Sequence, residues 1–261
     1  MRAAVNGVEL HYELEGEGPP VVLLPGLTAL NDVWEGVRPG VAKEFTVLTF
    51  DQRGTGRSTG KDAPHSVPTL AADVLGLLDH LGWDRAALVG ISMGGGIAQT
   101  FAFEYPDRIS ALVLVSTSSE FLPETVKMFH ARADHAEREG MAGLVDTMMG
   151  QWYSEDLLEE EREKAEAMRQ ALLSLDPRVF AARARANAER GWTERLGEIR
   201  CPVLFVGGEL DVMDAPVHLE RYRRHVADFE GHVMPGVAHA LTAEAPDEYN
   251  AIMLPFLRRV L

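Results

Sequence analysis

The sequence predicts an α/β protein with a mostly parallel central sheet and helices on both faces. Short, wholly apolar runs such as Val21 to Leu24, Ala86 to Val89 and Val203 to Val206 have the composition of strands buried on both sides. They alternate with amphipathic helical patterns, and strand–helix–strand repetition implies right-handed βαβ units. A Gly-x-Ser-x-Gly sequence falls between one such strand and the helix after it.

Taken in order, Val8 to Leu14 alternates as a strand, and Val21 to Leu24 and Phe45 to Phe50 are buried strands. Thr69 to Leu81 places Leu70, Val74, Leu77, Leu78 and Leu81 at helical spacing. Ala86 to Val89 is the next strand, and the helix after it stops at Tyr105-Pro106, where proline cannot continue it. Ile109 to Val115 follows as a strand. From Glu120 to Arg200 the pattern is helical only, with an apolar stripe of Ala165, Met168, Leu172 and Leu175 inside a charge-rich run from Glu155 to Leu175. A structureless loop of that length is improbable in a compact chain, so residues 120–200 are expected to be a helical insertion. The charge run Glu159 to Lys164 is expected to be a solvated helix face. Sheet patterns resume at Val203 to Val206 and Phe229 to Met234, with a last helix from Leu241 onward.

The chain has 261 residues, of which 46% are hydrophobic and 25% charged, which supports one large core rather than disorder. A net charge of −15 disfavours nucleic acid and anionic membranes as partners. The single cysteine, Cys201, permits no internal disulfide and is expected to be a small buried hydrophobe. No apolar run approaches a membrane span, and the first residues lack a signal-peptide core, so the expected location is cytoplasmic.

Gly90-Ile91-Ser92-Met93-Gly94 carries the chemistry. A serine in a strand-to-helix turn is held in strained backbone at the carboxyl end of the sheet, where α/β proteins bind ligands. Its hydroxyl needs a base. His239, in the loop Pro235-Gly236-Val237-Ala238-His239 after the last strand, is the candidate. Asp211, after Val203 to Val206, is the candidate carboxylate to orient it, with Asp214 and Glu209 as close rivals. Two backbone N–H groups should face the developing oxyanion: Met93 at the helix start, and Leu27 in the early loop Pro25-Gly26-Leu27. Trp34, Met128, Trp152 and Tyr153 are candidates for an apolar pocket wall, although core packing is the commoner role for each of these residue types.

Across essentially its whole length the chain resembles the α/β-hydrolase superfamily, in the branch of small esterases, enol-lactonases and cofactor-free haloperoxidases. Asp51-Gln52-Arg53-Gly54-Thr55-Gly56-Arg57-Ser58 and Glu104-Tyr105-Pro106-Asp107-Arg108-Ile109 resemble two of its loops, and the order Ser92, Asp211, His239 matches the fold. The resemblance implies an α/β-hydrolase core of residues 1–119 and 201–261, a helical cap at 120–200, and Arg53 in a buried or half-buried pair. Where that family commonly has His-Gly, this chain has Pro25-Gly26, which leaves the Leu27 N–H as donor. The expected activity is serine-dependent hydrolysis of a small, apolar carboxylic ester or lactone, with no metal or organic cofactor. Perhydrolysis, C–C bond hydrolysis, acyl transfer or non-catalytic ligand binding on the same scaffold are the alternatives. A homo-oligomer is compatible with the sequence.

Overall fold

In the computed structural model, which describes residues 1–261, eight strands form one sheet. They are β1 (Arg2–Val5), β2 (Val8–Glu15), β3 (Pro20–Leu24), β4 (Thr46–Phe50), β5 (Ala86–Ile91), β6 (Ile109–Val115), β7 (Val203–Gly208) and β8 (Phe229–Met234). The order across the sheet is β1-β2-β4-β3-β5-β6-β7-β8. β1 and β2 run antiparallel to their neighbours, and the rest are parallel. The chain leaves β3 toward β4 on one side and later returns to β5 on the other. That reversal opens a crevice at the carboxyl ends of β3 and β5, where open α/β sheets bind ligands.

The helices are α1 (Arg38–Val41), α2 (Val67–Leu81), α3 (Met93–Glu104), α4 (Pro123–Glu139), α5 (Ala142–Trp152), α6 (Glu155–Glu160), α7 (Arg162–Leu173), α8 (Pro177–Ala188), α9 (Ala215–His225), α10 (Leu241–Glu244) and α11 (Pro246–Val260). Their ends follow local chemistry. The Ser66 hydroxyl accepts the Thr69 N–H at the start of α2, and Gly82 closes that helix at φ 69°. Asp176 caps α8 by accepting the Arg178 and Val179 N–H groups, with Pro177 next in the chain.

Two apolar cores flank the sheet. On one face α2, α3 and α9 pack through residues such as Leu77, Phe101 and Leu219. On the other, α1 and α11 bury Val41, Met253 and Leu257. The first core continues into Phe129, Val145, Met148 and Phe180, so the helices between β6 and β7 share an apolar core with the rest of the molecule and pack chiefly on one another.

Two elements differ from expectation. β1 has no counterpart among the expected strands; four residues paired at a sheet edge give too short a periodicity to read. The charge-rich stretch Glu155 to Leu175 is two helices, broken at Glu161 (φ −105°, ψ 53°). Three adjacent carboxylates, Glu159 to Glu161, offer no apolar side to hold that turn, and the ion pair that forms is Lys164 with Glu161, three residues apart at 2.9 Å.

Candidate active site

Ser92 follows β5 directly and precedes the first residue of α3, with φ 55° and ψ −115°. This backbone is costly for a residue with a Cβ, about 1–3 kcal/mol. The surroundings impose it: the Ser92 N–H donates to Val115 O at 2.9 Å, and its carbonyl accepts the Thr117 hydroxyl at 2.6 Å. Both flanking glycines are required by close approach. A Cβ at Gly90 would strike the Gly94 and Gly95 backbone, and one at Gly94 would strike the Leu24 carbonyl.

His239 Nδ1 lies 2.9 Å from Asp211 Oδ2, and both side chains are buried. Asp211 Oδ1 accepts the Met213 N–H at 2.9 Å. Desolvation pushes the Asp211 carboxyl upward, but the His239 charge and hydrogen bond and the Met213 N–H outweigh it, so the carboxyl sits below its ordinary range. The rival carboxylates are engaged elsewhere. Asp214 caps α9 through the Val217 N–H, and Glu209 accepts the Gly236 N–H at 2.9 Å, bracing the loop that carries His239. A Ser92 Oγ–His239 Nε2 hydrogen bond is not formed in this conformation; such bonds commonly close only when substrate binds.

The loop after β3 lies against the serine: a Cβ on Gly26 would sit 3.3 Å from Ser92 Cβ. The Leu27 N–H has no acceptor within the protein. The Met93 N–H heads α3, where helix geometry leaves the first N–H groups free. Arg183 of α8 fastens this loop, with Nε donating to Leu27 O at 2.9 Å and Nη2 to Gly26 O at 3.1 Å.

Two cavities meet at Ser92 and His239. One is largely apolar and includes Leu30, Trp152, Tyr153, Met168 and Leu172, with Asp32. The other includes Met128, Phe129, Trp152, Arg132 and Arg190. Trp152, Tyr153 and Met128 line these cavities. Trp34 does not. It is wholly buried in the core with Val37 and Met253, where the apolar spacing of its short helical turn directs it toward the sheet.

The α/β-hydrolase fold model matches residues 19–246. The chain belongs to the α/β-hydrolase family. Among its solved relatives, a thermophilic esterase from Thermogutta terrifontis, with malate bound, superposes with a TM-score of 0.93 at 30% identity, covering 100% of this chain and 99% of that one. The enol-lactonase from Burkholderia xenovorans LB400 superposes with a TM-score of 0.93 at 29% identity, covering 99% and 100%. A RutD protein of Caulobacter sp. (strain K31), provisionally named a carbamate hydrolase, is 31% identical over 95% of both chains.

Within this α/β-hydrolase another serine and histidine, Ser118 and His218, are buried near the same sheet edge. The Ser118 hydroxyl donates to Glu120 O. Burial and the nearby Arg221 push His218 down to about 4, leaving it a weak base. Burial pushes the Cys201 thiol up to about 12, which removes it as a nucleophile at neutral pH. Arg53 forms the expected buried pair, with Nε 2.6 Å from Asp73 Oδ2. No helix is long and apolar enough to cross a membrane.

Site residues that were not read from the sequence are Arg132, Arg183, Arg190 and Glu244. Glu244 accepts the Ser154 N–H at 2.9 Å and the Ala238 N–H at 3.3 Å, joining the His239 loop to the end of α5. A signal for two of the arginines exists. Arg183, Asn187 and Arg190 recur at four- and three-residue spacing beside the buried Phe180, Ala184 and Ala188, so they share the buried face of α8 and its extension.

Proposed function

We propose that this hydrolase cleaves a carboxylic ester or lactone through an acyl-enzyme on Ser92. His239 takes the Ser92 proton as Oγ attacks the carbonyl carbon. The carbonyl oxygen becomes an oxyanion held by the Leu27 and Met93 N–H groups. The oxyanion collapses, the C–O bond to the leaving alcohol breaks, and His239 returns its proton to that alkoxide. Water, deprotonated by the same imidazole, then attacks the acyl carbon; the acid departs and Ser92 recovers its proton. Asp211 holds the tautomer of His239 that leaves Nε2 free to act and stabilises the imidazolium that forms.

The observation that carries this reading is the buried Asp211–His239 hydrogen bond opening onto the same cavities as a strained serine. The helices of residues 120–200 act as the cap, since Trp152, Tyr153 and Met168 from them wall the apolar cavity. The named activities of the relatives favour ester, lactone and carbamate carbonyls, all attacked in the same way. The test is acid release, followed in a pH-stat, from a panel of neutral esters, lactones and carbamates. Turnover of esters or lactones that is lost in Ser92→Ala supports the reading. Turnover that survives Ser92→Ala, or turnover of carbamates alone, contradicts it.

A further inference from the structure

The two cavities at Ser92 differ in charge, and the difference selects a substrate. The chain carries a net charge of −15, yet the cavity against α4 and α5 contains two arginines and no carboxylate among its lining residues. Arg190 is fully committed. Its Nε and Nη2 donate to Asn187 Oδ1, its Nη1 to Thr117 Oγ1 and Ser118 O, and its guanidinium lies 4.7 Å over the Phe121 ring. All of these partners are neutral, so its charge is oriented but uncompensated. Arg132 is held differently. Its Nη2 donates to Gln151 Oε1, while Nε and Nη1 donate to no protein acceptor. Burial pushes Arg132 below its ordinary range with no neighbouring charge contributing, and pushes Arg190 down to about 10, still cationic at neutral pH.

Natural interiors pair buried charges, because an unpaired cation there costs several kcal/mol. A guanidinium with two free donors facing a cavity beside the reacting serine has the geometry of a receptor for a planar anion. On the other side of Ser92 the cavity contains Asp32 and no arginine or lysine among its lining residues, so it offers an anion no cationic side-chain partner.

We propose that the cavity containing Arg132 is an anion subsite, and that the substrate is an ester or lactone bearing a carboxylate. Arg132 receives the carboxylate through its free Nε and Nη1, while Arg190 supplies field without contact. The apolar remainder of the substrate lies toward Trp152 and Met168, so the carbonyl between them is presented to Ser92 in one direction. This rests on the Ser92 reading for turnover and stands apart from it for binding.

The test has two independent readouts. The first compares kcat/KM for monoethyl esters of C4 to C6 dicarboxylic acids with ethyl esters of the corresponding fatty acids, and for acetyl esters of hydroxy-carboxylic acids with acetyl esters of simple alcohols. The two pairs distinguish a carboxylate on the acyl side from one on the alcohol side. In at least one pair the anionic substrate should be preferred by about 10- to 100-fold, the worth of one charge-assisted hydrogen bond. That ratio should fall close to one in Arg132→Gln, be partly kept in Arg132→Lys, and shrink as salt is raised. The second readout is calorimetric binding of glutarate to the wild-type protein, which should be lost in Arg132→Gln with its thermal transition intact. Neutral esters turned over as fast as anionic ones overturn the subsite and leave Ser92 as nucleophile. Glutarate binding that depends on Arg132 in a protein that cleaves nothing keeps the subsite and overturns the hydrolase reading. Absence of both preference and glutarate binding overturns the proposal.

Discussion

Replacing Arg183 by methionine separates stability from catalysis. Arg183 is 1% exposed and its guanidinium has no carboxylate partner. Burial pushes it from an ordinary 12.5 down to about 9, which at about 1.4 kcal/mol per pH unit is a cost of about 5 kcal/mol for holding the charge there at neutral pH. Against this, Arg183→Met leaves the Gly26 and Leu27 carbonyls without their donors, at about 1–3 kcal/mol each, or about 2–6 kcal/mol together. The methionine keeps most of the aliphatic packing. The relief offsets the loss, so the variant should fold, with a melting temperature close to or above that of the wild type. Catalysis has no such compensation. Gly26 O belongs to the peptide group whose N–H is that of Leu27, so the Nη2 bond both fixes and polarises the proposed oxyanion donor. Loss of a complete oxyanion donor costs about 100- to 1000-fold in kcat. A loosened one should cost between about 10-fold and that limit, with KM little changed. Steady-state kinetics beside a thermal melt is the assay. A folded Arg183→Met protein with kcat within about two-fold of wild type would refute the reasoning.

Asp211→Asn should keep substrate affinity but lower kcat by about 1000- to 10,000-fold, because an amide favours the wrong His239 tautomer; a loss under ten-fold in steady-state assays would contradict the role. The depressed Asp211 carboxyl also contributes to acid stability. Its folded value lies below the unfolded one near 3.9, so its contribution is fully present above about pH 4 and lost as pH falls through the folded value. The melting-temperature gap between wild type and Asp211→Asn, followed from pH 6 to pH 3, should therefore close toward the acid end. Ser92→Gly removes a Cβ from strained backbone and should raise the melting temperature by a few degrees while abolishing turnover; a drop of several degrees would show that the strain is not there.

Much of this molecule was legible because its signals are local. Buried parallel strands are continuous apolar runs, so β3, β5, β6 and β7 announce themselves, and the Gly-x-Ser-x-Gly spacing is dictated by backbone approach at Gly90 and Gly94. A histidine and a carboxylate meeting at this edge could be expected because each follows a strand at its carboxyl end. The choice among Asp211, Asp214 and Glu209 could not, since it turns on which of three neighbouring carboxylates points inward and which cap or brace backbone. For Trp34 the sequence left core and pocket wall open, because aromatic composition does not distinguish the two. The three buried arginines were missed because an arginine on a charge-rich helix reads as solvated. Only the packing of α4 against α8, and of both into the shared core, turns Arg132, Arg183 and Arg190 inward.

The most direct test of the central claim is fluorophosphonate labelling of the folded protein, read by peptide mass spectrometry. A single adduct on Ser92, absent in Ser92→Ala and slowed strongly in His239→Ala, is the predicted result. An adduct on another serine, such as Ser118, or a folded protein that stays unlabelled, would contradict the account.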